Sequence, residues 1–204
     1  MQKLTVYAVN INDISAAKTA ALSLITPERQ KKALAYRFEE DRLRCIAAGL
    51  LLRKYCGITS DGQITYNEHG KPLCEHIEFN ISHSGDWVLL CTANCPVGID
   101  IEKIKPHNKK TAEHCFCADE LEWMQNKNDR FFMLWTRKES ITKAIGKGLK
   151  HISGFSVMPF DNTQHIIDGQ EIFSVTKQFS DFAVSASSFE PFCDFDIITD
   201  KDII

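Results

Sequence analysis

At 204 residues the chain is long enough for one domain or two small ones. Its apolar fraction of 44% and charged fraction of 25% are ordinary for a globular protein, and a net charge of −3 supplies no overall basic field for nucleic acid. No apolar run approaches a membrane span, and the stretch Met1–Tyr7 is too short and too alternating for a signal peptide, so a cytoplasmic protein is expected. The eight cysteines then read as reduced thiols rather than a disulfide framework. His114-Cys115-Phe116-Cys117, with His107 upstream, matches no standard zinc spacing.

In chain order, Leu4–Val9 alternates as a strand, and a helix is expected over about Ile14–Leu24. Thr26-Pro27-Glu28-Arg29 reads as a helix start, with Thr26 as N-cap and Pro27 in the first position. A second helix after Phe38 carries the apolar stripe Leu43, Ile46, Ala47, Leu50 and Leu51 and stops at Gly57. From Thr26 to Lys54 eight basic residues stand against four acidic ones. That run is either a solvated helix face or a wall for phosphate.

Asn67–Pro72 is a turn by composition, in which Gly70 permits close backbone approach and Pro72 stiffens the exit. Ile77–Leu90 reads as strand, polar turn, strand, with Asn80, Ser82, His83 and Ser84 crowding the turn. The added histidine raises the case for a phosphate-holding turn. Val97-Gly98-Ile99-Asp100-Ile101-Glu102 follows as a third strand of an expected antiparallel meander. In a strand Asp100 and Glu102 project to one face, about 7 Å apart, while Ile99 and Ile101 face the core. A hard divalent cation between the carboxylates suits this pair, and an edge strand with a solvated polar face has the same pattern.

Ile104–Lys110 reads as a crossover between two halves, 1–103 and 104–204. A helix from Cys117 to about Asn126 comes next, then one capped by Asp129 and ended by Gly146 and Gly148. The first half of that helix is apolar nearly all round and should be buried; Glu139 and Lys143 share one face further on. Gly146-Lys147-Gly148 lacks the spacing of a P-loop. Strands are expected over Gly154–Met158, Glu171–Thr176 and Phe182–Ser187.

Three strings carry a family resemblance: Phe79-Asn80-Ile81-Ser82-His83-Ser84-Gly85, Pro96-Val97-Gly98-Ile99-Asp100-Ile101-Glu102 and the run from Trp135 to Ala144. Together, in this order, they resemble the 4′-phosphopantetheinyl transferases of the larger, two-half type that activates peptide and polyketide synthetases. The resemblance spans Thr26 to Leu149. It implies an α+β pseudo-dimer of two similar halves with antiparallel sheets, and a coenzyme A cleft between them. It implies Mg²⁺ held by Asp100, Glu102 and Glu139. Glu139, or a water it holds, would take the proton of a carrier serine, and Lys143 would neutralise charge on the phosphates. Arg29, Lys32 and His83, supported by Arg44, resemble the 3′-phosphate contacts. Gly70, Lys71 and Pro72 resemble the adenine-side loop, and Ser82 a phosphate contact. Arg29 stands where the family often has Lys, and Cys45 where it often offers a Thr hydroxyl. The expected partners are carrier domains of fatty-acid, polyketide or peptide synthases, docking near Phe116–Trp123 on a monomer. Two other readings stand beside the enzyme: a non-catalytic coenzyme A or nucleotide binder on the same fold, and an interaction module whose charges are structural.

Overall fold

The computed structural model describes residues 2–204; the side chains of residues 2, 3 and 149–151 are not among what is described. The alternating start forms β1 (Gln2–Asn10). The helix expected after it is broken into α1 (Ile11–Ile14), a 3-10 turn (Ser15–Ala17) and α2 (Lys18–Leu24). The Asn10 side chain accepts from the Asn12 N–H at 3.0 Å, which starts α1 earlier than the apolar pattern suggests. In α3 (Pro27–Ala35) Pro27 occupies the first turn, but the Thr26 hydroxyl makes no cap bond. Asp61 supplies the cap instead, its Oδ2 accepting from the Glu28 N–H at 3.0 Å. α4 (Glu39–Cys56) buries the expected stripe and ends on Gly57 in the left-handed region, φ 67°.

The short strands β2 (Thr65–Tyr66) and β3 (Pro72–Leu73) close the Asn67–Lys71 turn. β4 (Glu78–Ser84) and β5 (Trp87–Ala93) form the expected hairpin. β6 (Val97–Lys103) does not continue that meander but leaves to pair with a later strand. After α5 (Lys109–Cys115) and α6 (Ala118–Met124), α7 runs from Asn128 to Ile145 with Lys127 at its N-cap and Asp129 inside its first turn. The run Gly154–Met158 is not a strand. Side chains of the neighbouring helices hold it: Lys138 Nζ donates to the Phe155 carbonyl at 2.5 Å, and the Val157 N–H donates to Glu120 Oε1 at 2.9 Å. β7 (Gln164–Ile167), β8 (Gln170–Phe179), β9 (Phe182–Ser188) and β10 (Phe192–Thr199) complete the chain.

Two four-stranded sheets result, ordered β10-β1-β5-β4 and β6-β9-β8-β7. All their pairings are antiparallel except β1 with β10, which run parallel. Both sheets therefore draw strands from either side of residue 103. They pack face to face through Leu4, Val6, Leu89, Ile99, Ile101, Val184 and Phe195. α4 covers the outer face of the first sheet, against Val9, Val88 and Leu90. α7 covers the outer face of the second, against Ile172 and Ala183. The architecture is thus α+β in two parts, with helices on the outside and two sheets between.

Within the second part Lys138 and Glu120 are both fully buried and paired at 2.8 Å. Glu120 Oε2 also accepts from the Cys117 N–H at 2.8 Å. That carboxylate is fully satisfied, as a buried charge must be, and it pins α6 to α7.

Candidate active site

The site begins with a glycine. On β6 Ile99 and Ile101 fill the core between the sheets, and Gly98, Asp100 and Glu102 lie on the opposite face. A Cβ on Gly98 would stand 1.9 Å from the Ser140 carbonyl oxygen and 2.7 Å from the Ala144 nitrogen. The backbone of α7 therefore rests directly on the strand, and small side chains of β9 widen the seat. Ser140 Oγ meets Ser187 Oγ at 2.6 Å, and Thr136 Oγ1 meets Ser185 Oγ at 2.8 Å.

This close approach brings the acidic strand and the Glu–Lys helix face together. Lys143 Nζ lies 2.5 Å from Asp100 Oδ1 and 3.3 Å from Glu139 Oε2. Asp100 is 2% and Glu139 9% exposed. Ser82 Oγ donates to Asp100 Oδ1 at 2.7 Å and lies 3.2 Å from Lys143 Nζ. Glu102 is held one step along, its Oε2 accepting from Ser84 Oγ at 2.9 Å. Three carboxylates thus meet one ammonium. Burial, then the Asp100 charge, push the Glu139 carboxyl up to about 7. Burial also raises Glu102, with the Ser84 hydrogen bond partly opposing it. Burial works to lower the Lys143 ammonium, and the Asp100 and Glu139 charges more than offset it, so its pKa is raised.

Glu139, Thr142 and Lys143 form one wall of a cleft of about 270 Å³, and His69, Gly70, Lys71 and Pro72 form the other. The loop is tied to the C-terminal end of α7. Asn67 Nδ2 donates to the Gly146 carbonyl at 3.0 Å, and Lys71 Nζ to the Ala144 carbonyl at 2.9 Å. The Lys71 ammonium is thereby engaged by backbone, and its stem faces the cleft. Burial lowers its pKa.

Pro72 and Ile81 also line a neighbouring cavity of about 210 Å³, together with Arg29, Lys32, Arg44, Cys45 and His83. All four predicted 3′-phosphate residues therefore share one hollow at the end of the same groove. Arg44 is fixed there by Asp41 at 2.6 Å and by the Gly85 carbonyl at 2.8 Å. Burial, followed by Arg44 and Lys143, keeps His83 below its ordinary pKa. The Cys45 thiol points to the Arg29 carbonyl at 3.8 Å, so it takes a backbone partner where a hydroxyl was looked for. On the other flank of α3, Arg29 and Lys32 also border a larger hollow of about 470 Å³ with Asp61 and Tyr66, remote from the carboxylates.

Phe116 does not fit its expected place on a docking surface. It is 6% exposed and packs on Phe131 at 5.2 Å between ring centres, inside the core of α5–α7. Its position before α6, whose Glu120 turns inward, buries it. Phe116→Ala is expected to cost about 3 kcal/mol, read as a lower Tm, as truncation of a core aromatic does. Unchanged stability would contradict the packing. The sequence pattern assigns Asn80 and Ser84 to a phosphate-holding turn and gives Gly98 no part, whereas all three build the site by bracing β6. Asn80 Oδ1 accepts from the Ile99 N–H at 3.0 Å and sets the height of β6 against β4.

Comparison with known proteins bears on the family. The family model described as the 4′-phosphopantetheinyl transferase superfamily matches residues 96–200, and that of the 4′-phosphopantetheinyl transferase N-terminal region matches residues 13–95. The 4′-phosphopantetheinyl transferase gsp of Aneurinibacillus migulanus is 41% identical over 138 residues, 62% of this chain and 58% of that protein. The 4′-phosphopantetheinyl transferase Sfp of Bacillus subtilis is 36% identical over 150 residues, 67% of either chain. The 4′-phosphopantetheinyl transferase psf-1 of Bacillus pumilus is 31% identical over 188 residues, 85% of this chain and 78% of that one. The match thus spans less than two thirds of the first relative's length and more than three quarters of the third's. The groove joins a carboxylate–lysine cluster to a basic hollow. The chain belongs to the 4′-phosphopantetheinyl transferase superfamily, in its Sfp-like branch.

Proposed function

We propose that this protein moves the 4′-phosphopantetheine group from coenzyme A to a serine of an apo carrier protein and releases adenosine 3′,5′-bisphosphate. The observation that carries this reading is the groove itself. The Asp100–Lys143–Glu139 cluster lies at one end and the Arg29–Lys32–Arg44–His83 hollow at the other, and Pro72 and Ile81 border both. An elongated ligand with a phosphate at its nucleotide end and a pyrophosphate further along fits that charge pattern.

The donor set also suits a hard divalent cation such as Mg²⁺. Asp100 Oδ2 is buried and has no hydrogen-bond partner among the described residues. When all three carboxylates are ionised they outnumber the one ammonium by two charges, which a divalent cation held by Asp100, Glu102 and Glu139 would balance. Among the described residues no group of three His, Cys, Asp or Glu side chains is already arranged as a metal shell. The physical reason is the Lys143 ammonium, which occupies the cationic place against Asp100. When bound, Mg²⁺ would offset the charge of the pyrophosphate.

The protein's own groups supply the rest. Arg29, Lys32, Arg44 and His83 hold the 3′-phosphate, the Gly70–Pro72 loop covers the adenine side, and Ser82 faces the phosphates. Glu139 takes the proton of the carrier serine as the serine Oγ–phosphorus bond forms. The bond from that phosphorus to the bridging oxygen of the pyrophosphate breaks, and 3′,5′-ADP leaves with the electron pair. Lys143 neutralises charge that develops on the phosphate oxygens.

The partners in this reading are carrier domains of fatty-acid, polyketide or peptide synthases. All eight cysteines are free thiols, and no helix among the described residues is long and apolar enough to cross a membrane. Free thiols suit a reducing compartment, and a cytoplasmic monomer is part of this proposal. The test is the intact mass of an apo carrier after incubation with the protein, coenzyme A and Mg²⁺, with EDTA in a parallel reaction. A phosphopantetheine mass gain that EDTA abolishes is expected. No gain across fatty-acid, polyketide and peptide carriers, with coenzyme A still bound, would replace transfer by a binding-only role.

A further inference from the structure

β4 and β6 are the facing edges of the two sheets, and among the described residues no backbone ladder joins them. Side chains of β4 do so instead, every second residue. Asn80 Oδ1 accepts from the Ile99 N–H at 3.0 Å, and Ser82 Oγ donates to Asp100 Oδ1 at 2.7 Å. Ser84 Oγ donates to Glu102 Oε2 at 2.9 Å and accepts from the Lys103 N–H at 3.1 Å.

The last link is a two-way bridge. A hydroxyl has one proton. The Lys103 N–H occupies a lone pair of Ser84 Oγ, and its proton goes to Glu102. The backbone of β6 thereby fixes the hydroxyl, and the hydroxyl fixes the carboxylate carried by the same strand. Glu102 lies at the end of the acidic cluster and is half-buried, so this bond does more there than it would in open solvent.

We propose that Ser84 is a positioning residue that holds the Glu102 carboxylate toward Asp100 and Glu139 and so sets the affinity of the protein for its divalent cation. This rests on the metal reading given above. Groups that orient a metal-ligating side chain change metal affinity by about 10- to 100-fold when removed.

The experiment titrates Mg²⁺ against the full-length protein at fixed coenzyme A and reads the rise in Tm. Mn²⁺ binding followed by electron paramagnetic resonance provides a second readout that needs no turnover. Ser84→Ala is expected to move the titration midpoint at least tenfold higher, and Ser84→Thr, which keeps the hydroxyl, to restore it. Should the alanine variant fold poorly, the isosteric pair Ser84→Thr and Ser84→Val makes the same comparison. A purely structural Ser84 would lower the metal-free Tm and leave the midpoint where it was, which overturns the inference. A threonine variant as weak as the alanine one overturns it too. A parent protein with no Mg²⁺ response at all overturns the metal reading itself, and this inference with it.

Discussion

Glu139→Gln is expected to lose about 10³-fold in turnover and to keep its fold, the scale of loss when a general base or a key charged group is removed. The substitution keeps the shape of a side chain that is 9% exposed on a well-packed helix. It removes the only part that matters for proton transfer. Stability should not fall. The folded carboxyl sits at about 7, above its ordinary 4.5, because burial and Asp100 oppose its charge. A group with a raised acidic pKa costs the folded state stability at every pH where it is ionised, and the neutral amide removes that cost. Some of the gain is returned, since Lys143 loses a partner at 3.3 Å. Single-turnover transfer to a carrier serine measures the first effect and thermal melting the second. A variant within tenfold of the parent would remove Glu139 from the chemistry. One that melts far below it would make the residue structural.

The second large effect is Gly98→Ala. One added methyl group would be placed 1.9 Å from the Ser140 carbonyl oxygen, inside any allowed contact. The neighbour is helix backbone, which cannot swing aside as a flexible side chain would. Either α7 lifts from β6 as a unit or the strand bends, and each breaks packing along the whole seat. A loss of about 4 kcal/mol is expected, at the upper end for overpacking, equal to a Tm decrease of roughly 8–16 °C in a chain of this size. Whatever folds should be nearly inactive, because lifting the helix draws Lys143 away from Asp100. A variant with the parent's Tm and turnover would show that the helix does not rest on this residue.

These two positions mark the limit of what was legible in the sequence. Asp100 and Glu102 could be put on one face by the period of a strand, and Glu139 and Lys143 on one face by the period of a helix. That the two faces meet depends on Gly98, which sequence alone presents as a glycine in an apolar strand. Its meaning is the helix lying on it, a contact across 42 residues. Long-range partners explain the other misses. Thr26 has the composition of an N-cap, yet Asp61 caps α3 from 33 residues away. Gly154–Met158 has a strand-like composition, but the buried charges of Glu120 and Lys138 engage its backbone first. Phe116 looked available for a partner because nothing local shows that Phe131 covers it. Ser84 has the composition of a phosphate-holding turn, yet its hydroxyl bonds Glu102 instead. Local periodicity thus showed which residues share a face, while the sheet edges and the helix seat decided which faces meet.

The parallel pairing of β1 with β10 bears on the order in which this chain can fold as it is made. β10 is translated some 190 residues after β1, the strand it pairs with. Until then Leu4 and Val6 lack Phe192 and Phe195, the aromatics that close their side of the core. A nascent chain that ends at residue 103 would hold β1 without β10 and β6 without β9. The first half therefore cannot settle before the second is translated. Its acidic strand and the helix that neutralises it come together in one late step, with the unpaired edges exposed to aggregation in the meantime.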